Sequence, residues 1–535
     1  MKTFDSLSYP YHSRRNVMFA QKGMVATSQP VAAQVGMDMM KMGGNAIDAA
    51  IATAACLTVV EPSSNGIGGD AFAIVWVKDK LYGLNASGYS PQEISIDKVK
   101  KRGYEQMPEY GWLPVTVPGA PASWVALSER FGKLSFKELL KPAIDYARHG
   151  FAVTPTVSYN WKKAVKTFSQ FNDKAFKSWF QTFTNNGTAP EPGDLFKMQD
   201  HADTLEHIAE TKGEWFYRGE FAEKIEKQSK EQGGVIKGDD LSSYQVEWVD
   251  PISVHYKGYD IWEIPPNGQG IITLMALNML KKDKFINRDA ASTIHKQIEA
   301  IKLAFTDAQA FISAPEFMDV TVDSLLSEEY SRQQYNRISD QALTPAPGNP
   351  PQGGTVYLAT ADNEGNMVSF IQSNYKGFGS GVVVEGTGVA LQNRGKDYSL
   401  DHKHVNALAP WKKSYHTIIP GFITRDTHPI GPFGVMGGFM QPQGHLQVAM
   451  NAIDFHLNPQ ASMDAPRWQW IGNKTIIIEP HFDNNLALQL EQKGHQVQKQ
   501  FHGGKFGRGQ IIWKDEDNLL IGATDPRTDG QVAVW

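Results

Sequence analysis

Pro350-Pro351-Gln352-Gly353-Gly354-Thr355-Val356-Tyr357-Leu358-Ala359-Thr360-Ala361-Asp362 is the stretch whose reading decides this chain. Prolines and glycines stop at Gly354, and a β-forming run starts on Thr355. Upstream, Thr344-Pro345-Ala346-Pro347-Gly348-Asn349-Pro350-Pro351 excludes both helix and central strand. The stretch is the one clear boundary in the sequence. If the Gly354–Thr355 bond were cut, Thr355 would become a new N-terminus. It would then carry a hydroxyl nucleophile and an α-amine to activate it, with a pKa of about 7.7–8.0. The same hydroxyl can attack the Gly354 carbonyl in an N-to-O acyl shift, and Gly353-Gly354 leaves that peptide unhindered. Read alone, a threonine opening a strand is simply a β-former, so the rest of the chain has to decide.

Around this stretch the pattern is globular. The 535 residues are 41% hydrophobic and 20% charged, enough for a large core. The net charge of −5 and the lack of a basic block argue against nucleic acid and anionic membranes as partners. One cysteine, Cys56, excludes an internal disulfide and a cysteine-based metal cluster, and its apolar surroundings make it a core residue. The N-terminus lacks an apolar signal region, and no run reaches the ~20 apolar residues of a membrane span, so a cytoplasmic location is expected.

Ser28 to Val59 reads as two helices. The first stops at Gly43-Gly44, and the second is capped by Asn45 with Asp48 three residues on. Its small residues predict close packing against a sheet. Gly66-Ile67-Gly68-Gly69-Asp70 lacks the dinucleotide spacing and precedes a strand, so it reads as a tight turn. Ile294, Ile298, Ile301, Phe305, Ala308 and Ile312 mark one apolar face of a long helix. After Thr355 the character is β: a strand to Ala361, a turn at Asn363–Asn366, and a second strand from Met367 to Gln372. His402, His404 and His416 lack the spacing of a metal site, so neither metal nor cofactor is expected.

Four ordered segments carry a resemblance. They are Gly23–Ser28 with Gly43–Ala50 and Glu61–Asp70; Val115-Thr116-Val117-Pro118-Gly119; Gly354-Thr355 with Asp362, Gly365-Asn366 and Phe378-Gly379-Ser380-Gly381; and Met436-Gly437-Gly438 leading to Asp464-Ala465-Pro466-Arg467-Trp468. In these the chain resembles the γ-glutamyltransferase (glutathione hydrolase) family. The resemblance implies an N-terminal-nucleophile (Ntn) hydrolase with a four-layer αββα sandwich. It implies autocleavage into a large chain 1–354 and a small chain 355–535, intertwined as one domain and associated as a heterodimer. Thr355 would be the nucleophile, Ser373 its hydroxyl neighbour, and Gly437 and Gly438 the oxyanion hole. The substrate would be a small γ-glutamyl amide such as glutathione.

The departures lie in the acyl pocket. Where the family reads Asp-Phe-Arg-Glu, this chain reads Asn85-Ala86-Ser87-Gly88, so Ser87 replaces the arginine that holds the α-carboxylate. The family's amine-contacting asparagine aligns with Tyr375, a glutamine with Arg394, and paired serines with His416 and Thr417. Asp397 keeps the amine-binding carboxylate. The segment from Tyr398 to Lys412 is short for the lid loop of some members. Gln392-Asn393-Arg394-Gly395 and Met440–His445 place the chain near cephalosporin-acylase-like members. Arg394 is either a replacement carboxylate clamp or a structural partner of Asp397. Two alternatives to γ-glutamyl hydrolysis follow: the same mechanism on a glutaryl or related dicarboxylate amide, and an unprocessed protein that only binds small acids.

Overall fold

Asn45 opens its helix as the sequence predicts. Its side chain accepts from the N–H groups of Ile47 and Asp48, and Asp48 accepts in return from the N–H of Asn45. The helix Ala46–Val60 is buried along its whole length, beside Pro30–Lys41. Its alanines let it lie close to a sheet, and three contacts tie it there. Thr360 Oγ1 donates to Ala46 O at 2.7 Å, Gln372 Nε2 donates to Ala54 O at 2.7 Å, and the Ala46 N–H donates to Asp362 Oδ2 at 2.7 Å.

The computed structural model describes residues 15–345, 354–501 and 503–535. Most of the Pro/Gly boundary, Gly353 included, lies outside the described residues, as does the N-terminal segment; Gly354 and Thr355 lie inside. Two antiparallel seven-stranded sheets form the centre. The first sheet runs in the order Gln531–Val534, Gly23–Thr27, Gly354–Asp362, Met367–Tyr375, Asp70–Val77, Lys80–Ala86, Glu247–Val249. The facing sheet runs Met18–Ala20, Leu520–Thr524, Arg508–Lys514, His428–Met436, Gly421–Arg425, Tyr259–Glu263, Ile252–Tyr256.

Alternation assigns the layers. In Asp70–Val77, the side chains of Ala71, Ala73, Val75 and Val77 enter the core beneath the helices. Phe72, Ile74 and Trp76 point the other way, into the core between the sheets. The strand Gly354–Asp362 divides in the same manner, with Val356 and Leu358 toward the helices and Tyr357, Ala359 and Ala361 toward the facing sheet. The helices Ile271–Leu280, Ala291–Phe311 and Met440–Ile453 cover the outer face of the facing sheet, over Ile261, Ile423, Phe433, Val435 and Ile511. The result is helix, sheet, sheet, helix: the expected αββα sandwich.

The long helix departs from expectation in one respect. It is buried on most sides, including Glu299 and Lys302, which pair at 2.7 Å with no exposed side-chain surface. The pair also holds Leu343: Glu299 Oε2 accepts its N–H at 2.9 Å and Lys302 Nζ donates to its carbonyl at 3.2 Å. Ile312 falls just past the helix end. Cys56 is buried in the helix-side core as expected, and burial pushes its thiol pKa up.

Candidate active site

Thr355 enters the first sheet beside an irregularity. Gly354 is opposite Tyr375 and Val356 is opposite Gln372, so the partner strand carries one extra residue at this point. Such a bulge re-aims side chains at a strand end. Thr355 Oγ1 donates to Ser373 Oγ at 3.2 Å, and both residues are buried. The N–H of Tyr375 donates to the same Ser373 Oγ at 2.8 Å. Tyr375 reaches back because its φ is +75°, a left-handed value that bulky residues rarely adopt.

From Tyr375 the acyl-pocket candidates follow in contact. Its hydroxyl donates to Asp397 Oδ1 at 2.6 Å. The Arg394 guanidinium lies 4.1 Å from the centre of its ring. Arg394 Nη1 donates to Thr417 Oγ1 at 2.8 Å and stands 3.7 Å from Asp397 Oδ2. Arg394 is fully buried, yet its Nε and Nη2 have no hydrogen-bond partner among the described residues. Burial raises the pKa of Asp397, opposed mainly by Arg394.

Gln269 joins this group to the glycine turn. Its Nε2 donates to Thr417 O at 2.6 Å and to Gly438 O at 3.0 Å. Gly437 and Gly438 lie between the strand His428–Met436 and the helix Met440–Ile453, with φ of +133° and +61°. Those values favour glycine at both positions. The Gly437 carbonyl accepts from Met440 N, and the Gly438 carbonyl accepts from Gln441 N as well as from Gln269.

His416 is fully buried and meets Asp70. Its Nε2 donates to Asp70 Oδ2 at 2.9 Å, and its Nδ1 accepts weakly from Ile418 N at 3.4 Å. Asp70 Oδ1 accepts from Gly88 N at 3.0 Å and from Gln392 Nε2 at 2.7 Å. Burial pushes the Asp70 carboxyl up to about 7, against the pull of Arg394. Burial also holds His416 well below the usual histidine range, with Arg394 and Lys413 adding to the effect. Both effects favour the neutral imidazole.

Ser87, at the position of the family's arginine, makes no charged contact among the described residues. Its hydroxyl donates to Asn85 Oδ1 at 2.7 Å and accepts from Asn267 Nδ2 at 3.2 Å. Trp411 stacks on Tyr89 at 4.5 Å between ring centres. Sequence reasoning overlooked Asp70 and Gln269 as site residues. Gln269 had a signal, since it sits in Pro265-Pro266-Asn267-Gly268-Gln269-Gly270, a turn-forming cluster that opens a helix. Away from the site, His295, Glu299 and His495 are grouped at metal-ligand separations. The Lys302 ammonium occupies the Glu299 oxygen that a cation would need.

This arrangement has clear relatives. The family model described as Gamma-glutamyltranspeptidase matches residues 32–535. A glutathione hydrolase-like YwrD proenzyme of Bacillus subtilis is 35% identical, covering 95% of this chain and 98% of that protein. An oxamate amidohydrolase proenzyme of Klebsiella pneumoniae is 32% identical, covering 96% and 98%. A solved structure described as cephalosporin acylase from Bacillus halodurans superposes with a TM-score of 0.97 at 57% identity, over 100% of this chain and 99% of that one. The match spans the described fold from the first helix to the last strand, and the chain belongs to the gamma-glutamyltranspeptidase family of Ntn hydrolases.

Proposed function

We propose that this protein is an autoprocessing threonine amidohydrolase that cleaves γ-glutamyl amides. The observation that carries the reading is the Thr355 Oγ1–Ser373 Oγ contact of 3.2 Å at the start of a central strand. In the uncut chain Thr355 Oγ1 attacks the Gly354 carbonyl carbon. The peptide C–N bond breaks, the Thr355 nitrogen leaves as the amine, and an ester joins Gly354 to Oγ1. Water hydrolyses that ester, releasing the Gly354 carboxylate and a free N-terminal threonine.

The mature reaction repeats this chemistry on the substrate. The α-amine takes the hydroxyl proton as Oγ1 attacks the amide carbon. The oxyanion is met by the N–H groups of the Gly437-Gly438 turn, whose carbonyls are already engaged. The proton passes to the leaving amine, and water then cleaves the acyl-threonine ester to a carboxylic acid. Arg394 would hold a carboxylate of the acyl group through its unpartnered Nε and Nη2. The large and small chains stay together afterwards as a heterodimer.

A second reading keeps every step and exchanges the acyl group for glutaryl or a related dicarboxylate. The uncharged surroundings of Ser87 favour it, as does the likeness to the cephalosporin acylase. The test is a gel. Purified wild type is expected to resolve into two fragments meeting at Gly354–Thr355, and Thr355→Ala to stay intact without amidase activity. A single intact band from wild type after prolonged incubation would sink the reading and favour a non-catalytic binding protein.

A further inference from the structure

Thr355 stands between two arginines, and the strand order sets them apart. In the first sheet, Gly354–Asp362 lies between Met367–Tyr375 and Gly23–Thr27. The Met367–Tyr375 side carries Ser373 and leads through Tyr375 to Arg394. On the other side Thr27 is paired with Leu358, so Ser28 and Gln29 run on past that pair toward the Thr355 end. The facing sheet puts Arg508 at the same end. Arg508 is paired with Met436, the residue before the Gly437-Gly438 turn, and a Cβ on Gly437 would lie 3.1 Å from Gly507 Cα. Met436 and Ile512 point into the core between the sheets, and by alternation so does Arg508.

The contacts of Arg508 agree with this placement. Its Nη1 donates to Glu61 Oε1 at 3.3 Å, while Glu61 Oε2 accepts from Ser28 Oγ at 2.5 Å and from Gln29 Nε2 at 3.4 Å. Glu61 is thus held by three donors, and Arg508 spends only one, in a long bond. Its Nε and Nη2 make no hydrogen bond among the described residues, and the side chain keeps 11% of its surface exposed. A guanidinium carries five N–H donors in a flat fork that matches the two oxygens of a carboxylate. The Glu61 contact leaves most of that fork open.

An amide has two halves, and they leave the scissile bond in opposite directions. With the acyl half on the Arg394 side, the amine half has the Ser28 side, where Arg508 offers its open fork. We propose that Arg508, steadied by Glu61, recognises a carboxylate on the amine half of the substrate. The substrate class is then amides whose leaving amine is itself an amino acid or short peptide bearing a carboxylate, rather than a simple aryl or alkyl amine. This rests on the reading of Thr355 as the nucleophile of an amidase.

The test holds the acyl half constant. It compares γ-glutamyl p-nitroanilide with the same anilide carrying a carboxylate beside the nitro group. The proteins are wild type, Glu61→Gln, and the double variant Glu61→Gln with Arg508→Met, which removes both charges together and leaves no buried carboxylate uncompensated. Wild type is expected to give the carboxylated anilide the higher kcat/KM. The double variant is expected to lower the ratio of carboxylated to plain anilide by about tenfold or more, the worth of one charge-assisted hydrogen bond, mainly through KM. Glu61→Gln alone keeps the fork, and its ratio is expected to stay at or above that of wild type. A loss of fold would lower both rates together and leave the ratio alone. A wild-type preference for the plain anilide, a shift under about threefold in the double variant, or an equal fall in Glu61→Gln overturns the proposal. If wild type hydrolyses neither anilide, the amidase reading fails, and calorimetric titration with p-nitroaniline and with its carboxylated counterpart still decides the role of Arg508. Tighter binding of the carboxylated amine by wild type, lost in the double variant, upholds it; any other order overturns it.

Discussion

Thr355 Oγ1 and Ser373 Oγ lie 3.2 Å apart on neighbouring strands, and the second oxygen also receives the N–H of Tyr375 at 2.8 Å. Ser373 is thus the fixed point against which the threonine hydroxyl is oriented. Ser373→Ala removes that point and strands a buried N–H. Fragment formation and kcat are both expected to fall about 10- to 100-fold, or ~1.4–2.8 kcal/mol of barrier. A gel time course and single-turnover kinetics check this.

Arg394→Lys keeps a charge and loses the planar fork. The KM for an acyl substrate ending in a carboxylate is expected to rise about tenfold or more, with kcat less affected. Unchanged KM in Arg394→Lys and in Arg394→Ala would assign the residue to the support of Asp397 alone.

Gln269 spans Thr417 and the Gly438 carbonyl with one amide nitrogen. Gln269→Leu leaves both carbonyls without that donor and frees the glycine turn. We expect kcat to drop about tenfold, since only an aligned donor stabilises the developing oxyanion. KM should change less, and a thermal melt should fall by only a few degrees.

Asp70 gives the fold a pH signature. Its carboxyl is pushed up to about 7 from an ordinary value of 3.8. Between those values the native protein keeps a proton that the unfolded chain has released. Stability from this group is therefore full below the ordinary carboxylate range and is lost as pH rises toward 7, by up to ~4 kcal/mol. Denaturant titrations of wild type and Asp70→Asn across this range are expected to differ in slope, the variant losing less stability with rising pH.

The pair Glu299–Lys302 is closed to solvent. Lys302→Met leaves a buried carboxylate uncompensated and is expected to cost about 3–5 kcal/mol. The double variant Glu299→Gln with Lys302→Met should recover part of that loss. Chemical denaturation of the three variants measures it.

Local chemistry made much of this legible. The Asn45–Asp48 cap, the helix break at Gly43-Gly44 and the strand opening at Gly354-Thr355 each follow from residues next to one another. The neighbours of Thr355 were legible only through resemblance, because nothing local brings Ser373 to it across a bulge. The polar network was less legible still. Asp70 meets His416 across 346 positions, and Gln269 reaches Gly438 across 169. Such contacts depend on how the two sheets face each other, which no periodicity encodes. The reading of His416 as a pocket residue carried no information about its contact with Asp70.

The strand order holds one more consequence. Gly354–Asp362 lies between Gly23–Thr27 and Met367–Tyr375, in the interior of its sheet. Segments before and after Thr355 alternate across both sheets: Gly23–Thr27 and Asp70–Val77 flank the hairpin that begins at Thr355, while Gln531–Val534 closes one edge. A cut at Gly354–Thr355 would therefore sever the backbone without creating a separable part. Neither product would own a complete sheet, and pulling them apart would require tearing open ladders on both. Dissociation and unfolding would be one event, a single transition whose midpoint rises with protein concentration because two chains separate in it.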